Sequence, residues 1–320
     1  MNQPPQPQPP QQAALPGCWW HPNRQTGLSC ARCERPACPD CLREAAVGFQ
    51  CIDCVQTGQR QQRAQRKQYD DAGFGARTIA GARFSQRPIA TPALVALNVL
   101  VYLVTAVQAQ SPMDNQSSPL FQYGQLFAPS IGFDGQWWRL FTSGFLHYGL
   151  IHIAVNMLSL WIIGRDLEIL LGKVRFLAVY FISMLGGSAA VYLFSDPGVP
   201  TVGASGAIYG LLGALLVAVL RLKLNPAMVI GTIVLNLAIT YAIPGISLFA
   251  HVGGLVIGAV AMAGILFAPA KKREWWQAGA LVVVLIALVG VVVIRDAQFG
   301  HLTCGYTAGN AIVCVDKGSS

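Results

Sequence analysis

The residues with most chemical potential lie in Thr201–Gly213, TVGASGAIYGLLG, where Ser205 opens an apolar run that continues to Leu220. A serine hydroxyl is a weak nucleophile at its own pKa and needs a base within hydrogen-bond reach. A motif of this kind is weak by itself. Small residues spaced by four, as Gly206 and Gly210 are, also occur wherever membrane helices pack together. The other apolar segments decide the matter. One carries His251, a natural base with an unperturbed pKa near 6.5. Another carries His152 and, four residues later on the same helical face, Asn156. Attack on a peptide carbonyl creates an oxyanion, and His152, Asn156 and the Ser205 backbone N–H are the donors available to it. No acidic residue is placed to orient His251, so the spacing predicts a Ser205–His251 dyad. Tyr209, one turn below Ser205, is expected to stack on the His251 ring in place of the usual carboxylate. Gly203 and Gly206 flank the serine. Gly206 and Gly210 on one helix, with Gly254 and Gly258 on another, allow the close approach that a serine–histidine contact requires.

These residues must be carried by membrane helices. The chain has 320 residues, of which 53% are hydrophobic and only 11% charged. Its mean hydropathy is +0.47. Soluble domains carry about 25% charged residues. Several apolar runs reach the roughly 20 residues that span a bilayer. Seven spans are expected, at about 89–107, 145–164, 174–194, 205–220, 226–243, 248–268 and 277–294. Basic residues gather after the second, fourth and sixth (Arg165, Lys173 and Arg175; Arg221 and Lys223; Lys271, Lys272 and Arg273), and none follows the third or fifth. The positive-inside rule then places the N-terminus in the cytoplasm and the C-terminal tail outside. The net charge of +8 follows from this topology, and no nucleic-acid partner is expected. In that orientation Ser205 lies at the outer end of span four, His251 about one turn into span six and His152 about two turns into span two. A channel or transporter would show midplane charges or broken repeats instead.

A second group of residues suits a metal. Seven of the nine cysteines (Cys18, Cys30, Cys33, Cys38, Cys41, Cys51 and Cys54) fall in residues 18–54, and His21 completes a set of eight. Each pair is separated by two residues, so one tight turn presents both side chains to a single tetrahedral ion, and thiolate with imidazole suits Zn²⁺. Eight ligands make two structural sites. Their order suggests a cross-brace, pairs one and three against pairs two and four, although sequential sites satisfy the same spacing. A disulfide knot is disfavoured on the reducing side of the membrane. Cys304 and Cys314 fall on the other side, where they can pair as a disulfide. The organisation expected is a Pro/Gln-rich disordered tail (1–16), a double zinc-finger module (17–56), a basic linker (57–88), the helical core (89–270), a seventh transmembrane helix (271–298) and an extracytoplasmic tail (299–320). The linker carries Arg60, Arg63, Arg66, Lys67, Arg77, Arg83 and Arg87 against Asp70 and Asp71, and should meet anionic headgroups.

Gly203-Ala204-Ser205-Gly206 with Tyr209, Ala250-His251-Val252-Gly253-Gly254 leading to Gly258, and His152 with Asn156 together resemble the rhomboid family of intramembrane serine proteases. Trp138-Arg139 is similar to the family's W-R motif. Gly164 through Glu168 resembles its G-x-x-x-E element, expected after the second span. The resemblance covers about residues 89–270. It implies an all-α polytopic membrane protein with a six-helix core, Ser205 as nucleophile, His251 as base, His152 and Asn156 at the oxyanion, and no cofactor for catalysis. It also implies single-span membrane protein substrates in a lipid bilayer, cut near the outer leaflet, and residence in a bacterial plasma membrane. His147 aligns with a further family histidine taken as structural. The cysteine module resembles a B-box-type zinc finger, whose expected work is to bind a cytoplasmic protein partner or stabilise the N-terminus. The competing reading is a catalytically inactive rhomboid-like binder or chaperone of membrane helices. Such relatives typically lack the serine or the histidine, and this chain keeps both.

Overall fold

A computed structural model describes residues 14–71, 77–82, 87–299, 302–306 and 312–316, with side chains to residue 65 in the first stretch and to 298 in the bundle. The Pro/Gln-rich residues 1–13, Arg83 and the side chains of Arg66 and Lys67 lie outside the described residues. The chain divides into two compact units, residues 1–76 and 77–320.

In the first unit a short hairpin, β1 (Leu42–Glu44) and β2 (Phe49–Cys51), leads straight into α1 (Ile52–Asp71). The buried centre consists of Cys18, Cys30, Ala37, Cys38, Cys41, Leu42 and Cys51. Five of those seven are candidate metal ligands, so this unit has almost no apolar core of its own. The first part of the expected linker is helical. Its Gln, Arg and Lys residues are good helix formers and need no partner face.

The second unit is a helical bundle. Its elements are α2 (Ala90–Ala109), α3 (Pro119–Gly124), α4 (Ala128–Gly132), α5 (Arg139–Thr142), α6 (Gly149–Leu171), α7 (Lys173–Phe194), α8 (Ser205–Arg221), α9 (Ala227–Ala242), α10 (Leu248–Leu266) and α11 (Arg273–Phe299). A terminal hairpin follows, β3 (Leu302–Tyr306) paired with β4 (Ile312–Asp316). Five helices, α2, α6, α7, α10 and α11, are long and apolar enough to cross a membrane, and α8 and α9 are shorter apolar helices. The protein is an integral membrane protein. Cys304 and Cys314 are register partners in the hairpin, and their thiols lie outside the described residues.

α8 is the hub. Ten of its residues are buried, among α6, α7, α9 and α10. Its 17 residues make about 26 Å of helix against about 35 Å for the 23 of α6, at 1.5 Å per residue. A short central helix lets the loop that precedes it dip into the bundle. α8 and α10 run side by side in one direction at glycine contacts. A Cβ on Gly254 would run into the Gly206 carbonyl, and one on Gly258 into the Gly210 carbonyl. Only backbone fits there.

α6 both starts and ends later than the sequence suggests, and two expectations shift with it. Glu168 lies inside the helix, not after it, and His152 is its fourth residue, one turn in, not two. Buried Glu168 accepts the N–H groups of Ile89, Ala90 and Thr91 at 2.7–2.8 Å and the Thr91 hydroxyl at 2.9 Å. These are the orphan donors of the α2 N-terminus, and a carboxylate also suits the helix dipole there. Glu168→Gln turns an amide N–H₂ toward those donors. Hydrogen bonds to charged groups contribute about 1.5–3 kcal/mol each, so the variant should lose at least about that much stability in a thermal or urea titration in detergent.

The last helix is held at both ends. Gln277 is buried, donates to the carbonyls of Ala80 and Ile265 at 2.9 and 3.0 Å, and accepts from Arg175 at 2.7 Å. At the other end the Tyr192 hydroxyl donates to Asp296 at 3.1 Å.

Candidate functional site

Three helices place their first turns at one end of the bundle. Ser205 is the first residue of α8, His152 the fourth of α6 and His251 the fourth of α10. The loop before Ser205 is tied down at every step. Leu126 and Thr201 exchange two backbone bonds of 3.0 and 2.9 Å, and the Gly203 N–H donates to the Ser143 carbonyl at 2.9 Å. Tyr148 donates to the Pro200 carbonyl at 3.2 Å, and the Ala204 N–H donates to His147 Nε2 at 3.5 Å. That last bond gives fully buried His147 a structural task, holding the loop one residue ahead of the serine.

Gly203 has φ +133, a conformation that side chains rarely adopt. A Cβ there would sit 3.0 Å from His152 Cε1 and Nε2 and 3.5 Å from Ser205 Oγ. The outer edge of the His152 ring therefore faces the same small space as the serine hydroxyl. Its Nδ1 accepts the Tyr148 backbone N–H at 3.2 Å, so a neutral ring carries its proton on Nε2. His152 thus presents an N–H donor to the Ser205 end of the space. The first N–H groups of α8 have no carbonyl one turn back and point the same way, at the positive end of the helix. Asn156 is buried and spends one amide N–H on the His152 carbonyl at 2.9 Å, which leaves one for a ligand.

His251 is buried, and Tyr209 stacks on it with ring centroids 3.9 Å apart and planes 12° from parallel. The Ala250 carbonyl sits 3.3 Å from where a Gly206 Cβ would be, which brings the start of α10 against the start of α8. Ser205 and His152 keep partial exposure, so the space they share is open to a ligand.

The sequence reading missed Thr240 on α9. It is buried and bonded to His251 Nδ1 at 2.7 Å. Its only sequence signal is a hydroxyl in an apolar span. Arg139 braces the loop ahead of α6. It donates to the Gln122 and Gln125 carbonyls at 2.8 Å and to the Gln136 side chain at 2.7 Å.

In the first unit Cys18, His21, Cys38 and Cys41 form one set and Cys30, Cys33, Cys51 and Cys54 another, each with ligand atoms within 4.8 Å of one another. The sets interleave along the chain. His21 Nδ1 lies 3.9, 3.5 and 3.4 Å from the sulfurs of Cys18, Cys38 and Cys41, and Cys33 Sγ lies 3.8 Å from Cys51 Sγ. A tetrahedron with zinc bond lengths has edges of about 3.6 Å for N–S and about 3.8 Å for S–S. All seven cysteines are free thiols, and His21 could take no part in a disulfide. Burial pushes up the thiols of Cys18, Cys30, Cys41, Cys51 and Cys54. At Cys18 and Cys30 the surrounding backbone N–H groups outweigh it and bring the thiol down to about 6. At Cys41 and Cys54 burial and the neighbouring sulfurs push it up to about 12. Each set so mixes a ready anion with a thiol that ionises only beside a cation. The residues fit a thiophilic divalent ion.

The Rhomboid domain family matches residues 134–269, the stretch that holds every residue of the bundle site. The chain is 34% identical over 221 residues to Rhomboid protease AarA of Providencia stuartii, covering 60% of this chain and 78% of that one. It is 34% identical over 194 residues to Rhomboid protease GluP of Bacillus subtilis (strain 168), covering 59% of this chain and 37% of that one. It is 39% identical over 156 residues to RHOMBOID-like protein 1 of Arabidopsis thaliana, covering 47% of this chain and 40% of that one. The chain thus spans less than half the length of the last two.

Proposed function

The chain belongs to the rhomboid family, and from that premise we propose that it is an intramembrane serine endopeptidase that cleaves transmembrane segments of single-span membrane proteins near the outer leaflet. What supports this reading is that the space beside Gly203 is bounded by both His152 and Ser205 Oγ, and that Tyr209, one turn below Ser205 on α8, stacks on His251. Ser205 Oγ attacks the peptide carbonyl and gives its proton to His251 Nε2. The oxygen of the tetrahedral intermediate accepts from His152 Nε2–H, the free Asn156 N–H and the Ser205 backbone N–H. Collapse breaks the C–N bond, and His251 returns the proton to the leaving amine. Water then attacks the acyl-serine with His251 again as base. Catalysis uses no cofactor. Partial exposure of Ser205 supports supply of that water from the nearer face of the membrane.

The test is the full chain in proteoliposomes with a single-span substrate that has small residues near its outer end. Two products from a cut inside or beside the span support the reading. A folded enzyme that binds the helix and never cuts it would favour the chaperone role. His152→Ala removes one oxyanion donor, and kcat should fall by about 10²–10³ with KM little changed.

The two cysteine sets each hold a zinc ion in this reading, and both ions are structural. Four protein ligands leave no open position for water or substrate. Zinc supplies the cross-links that this small unit lacks. The basic charge around spans two, four and six supports a cytoplasmic N-terminus, where the module would dock a protein partner or the cytoplasmic end of a substrate.

A further inference from the structure

α9 buries little of itself. Among its residues only Ile233 and Thr240 are buried, and Thr240 reaches the base. Thr240 Oγ1 makes three bonds, to the Asn236 carbonyl oxygen at 2.8 Å, to His251 Nδ1 at 2.7 Å and to the Tyr209 hydroxyl at 3.0 Å. A carbonyl oxygen can only accept, so the single Thr240 proton goes to Asn236. Two lone pairs remain on Oγ1. Tyr209 donates to one. His251 must donate to the other, through Nδ1–H.

We infer that Thr240 is a positioning residue that holds His251 in its Nδ1–H tautomer and leaves Nε2 unprotonated for the serine. The inference rests on the reading of Ser205 and His251 as nucleophile and base. In the serine–histidine–aspartate arrangement a buried carboxylate performs this task. A hydroxyl does it without burying a charge in the bilayer, where an ionised carboxylate is costly. The ring is then fixed in two ways. Tyr209 sets its plane by stacking, and Thr240 sets which nitrogen carries the proton. Both neighbours are themselves bonded to each other, so the three side chains form one unit that spans α8, α9 and α10. The geometry also makes the base depend on α9 being in place, because no other side chain is bonded to His251 among the described residues.

The experiment compares Thr240→Val, which keeps the shape and loses the hydroxyl, with Thr240→Ser, which keeps the hydroxyl. Both are made in the full chain and assayed in proteoliposomes for kcat, KM and the rate at which a fluorophosphonate labels Ser205. A wrong tautomer in the carboxylate system costs about 10⁴ in kcat, and a neutral acceptor should account for less, about 10²-fold for Thr240→Val. KM should stay within about twofold, since Thr240 is not placed to touch substrate, and Thr240→Ser should restore most of the rate of both readouts. Wild-type kcat in Thr240→Val would overturn the inference. Equal impairment of Val and Ser variants would also overturn it, since that is the pattern of a packing role. If Thr240→Val does not yield folded protein, Thr240→Ala against Thr240→Ser decides on the same readouts. Cleavage that survives Ser205→Ala would instead overturn the dyad reading, whatever Thr240 does.

Discussion

Replacing Ser205 by alanine should abolish both cleavage and fluorophosphonate labelling while leaving the bundle intact. The substitution removes one oxygen at the first position of α8, where the side chain is partly exposed. Loss of the nucleophile costs about 10⁶ in kcat in a soluble serine protease, which is below detection for any slower enzyme. The fold has little reason to notice, because the loop around the serine is held by backbone bonds and by His147, none of which uses the Ser205 hydroxyl. Stability should stay within about 0.5 kcal/mol, as for substitutions outside packed or networked positions. His251→Ala should also lose labelling, since the hydroxyl then has no base. The two outcomes separate the competing functions. Labelling of the wild type at Ser205, absent in both variants, establishes an activated serine. Unchanged cleavage in Ser205→Ala removes the protease assignment, and a folded wild type that never labels leaves the helix-binding role in its place.

The parts of this site differ in how much sequence reveals about them. The helices are legible because an apolar run of bilayer length has few other uses, and the loop charges punctuate it. Ser205, His152, Asn156 and His251 stand out because polar side chains in such runs are rare. Thr240 does not stand out. A threonine in an apolar helix satisfies itself by bonding the carbonyl four residues back, as exposed Thr232 does to Met228 at 2.9 Å. Thr240 makes the same local bond to Asn236. The two residues look alike along the chain, and only the packing of α9 against α8 and α10 puts one against His251 and the other outside. Glu168 hides for a related reason. Its partners lie 77 to 79 residues away at the start of α2, and no periodicity connects them. The depth of His152 depended on where α6 begins. Gly149, with φ +65, starts that helix later than the hydropathy of the segment suggests.

Stripping metal from the first unit should unfold it and leave the chemistry of the second untouched. Among its described residues the buried centre is Ala37, Leu42 and five cysteines, and the only sheet is a pair of strands of three residues each. Without a cation each set holds sulfurs within 4.8 Å of one another that repel when ionised and bury polar atoms when not. Structural zinc in small fingers contributes about 10–16 kcal/mol per site at neutral pH. A unit of some fifty residues has only about 3–8 kcal/mol of total stability, at 0.05–0.15 kcal/mol per residue. Two ions bound as proposed would therefore outweigh everything else that holds the unit together. A strong chelator should expose all seven cysteines to a thiol reagent and release about two zinc ions per chain, and Cys38→Ser should produce the same state at half that zinc content or less. Labelling at Ser205 should continue through the chelation, because every residue proposed for catalysis lies in residues 77–320. Cysteines that stay protected in the chelated protein would show that the unit folds without metal. Loss of Ser205 labelling on chelation, with the bundle still folded, would show that the module controls the serine and does more than dock a partner.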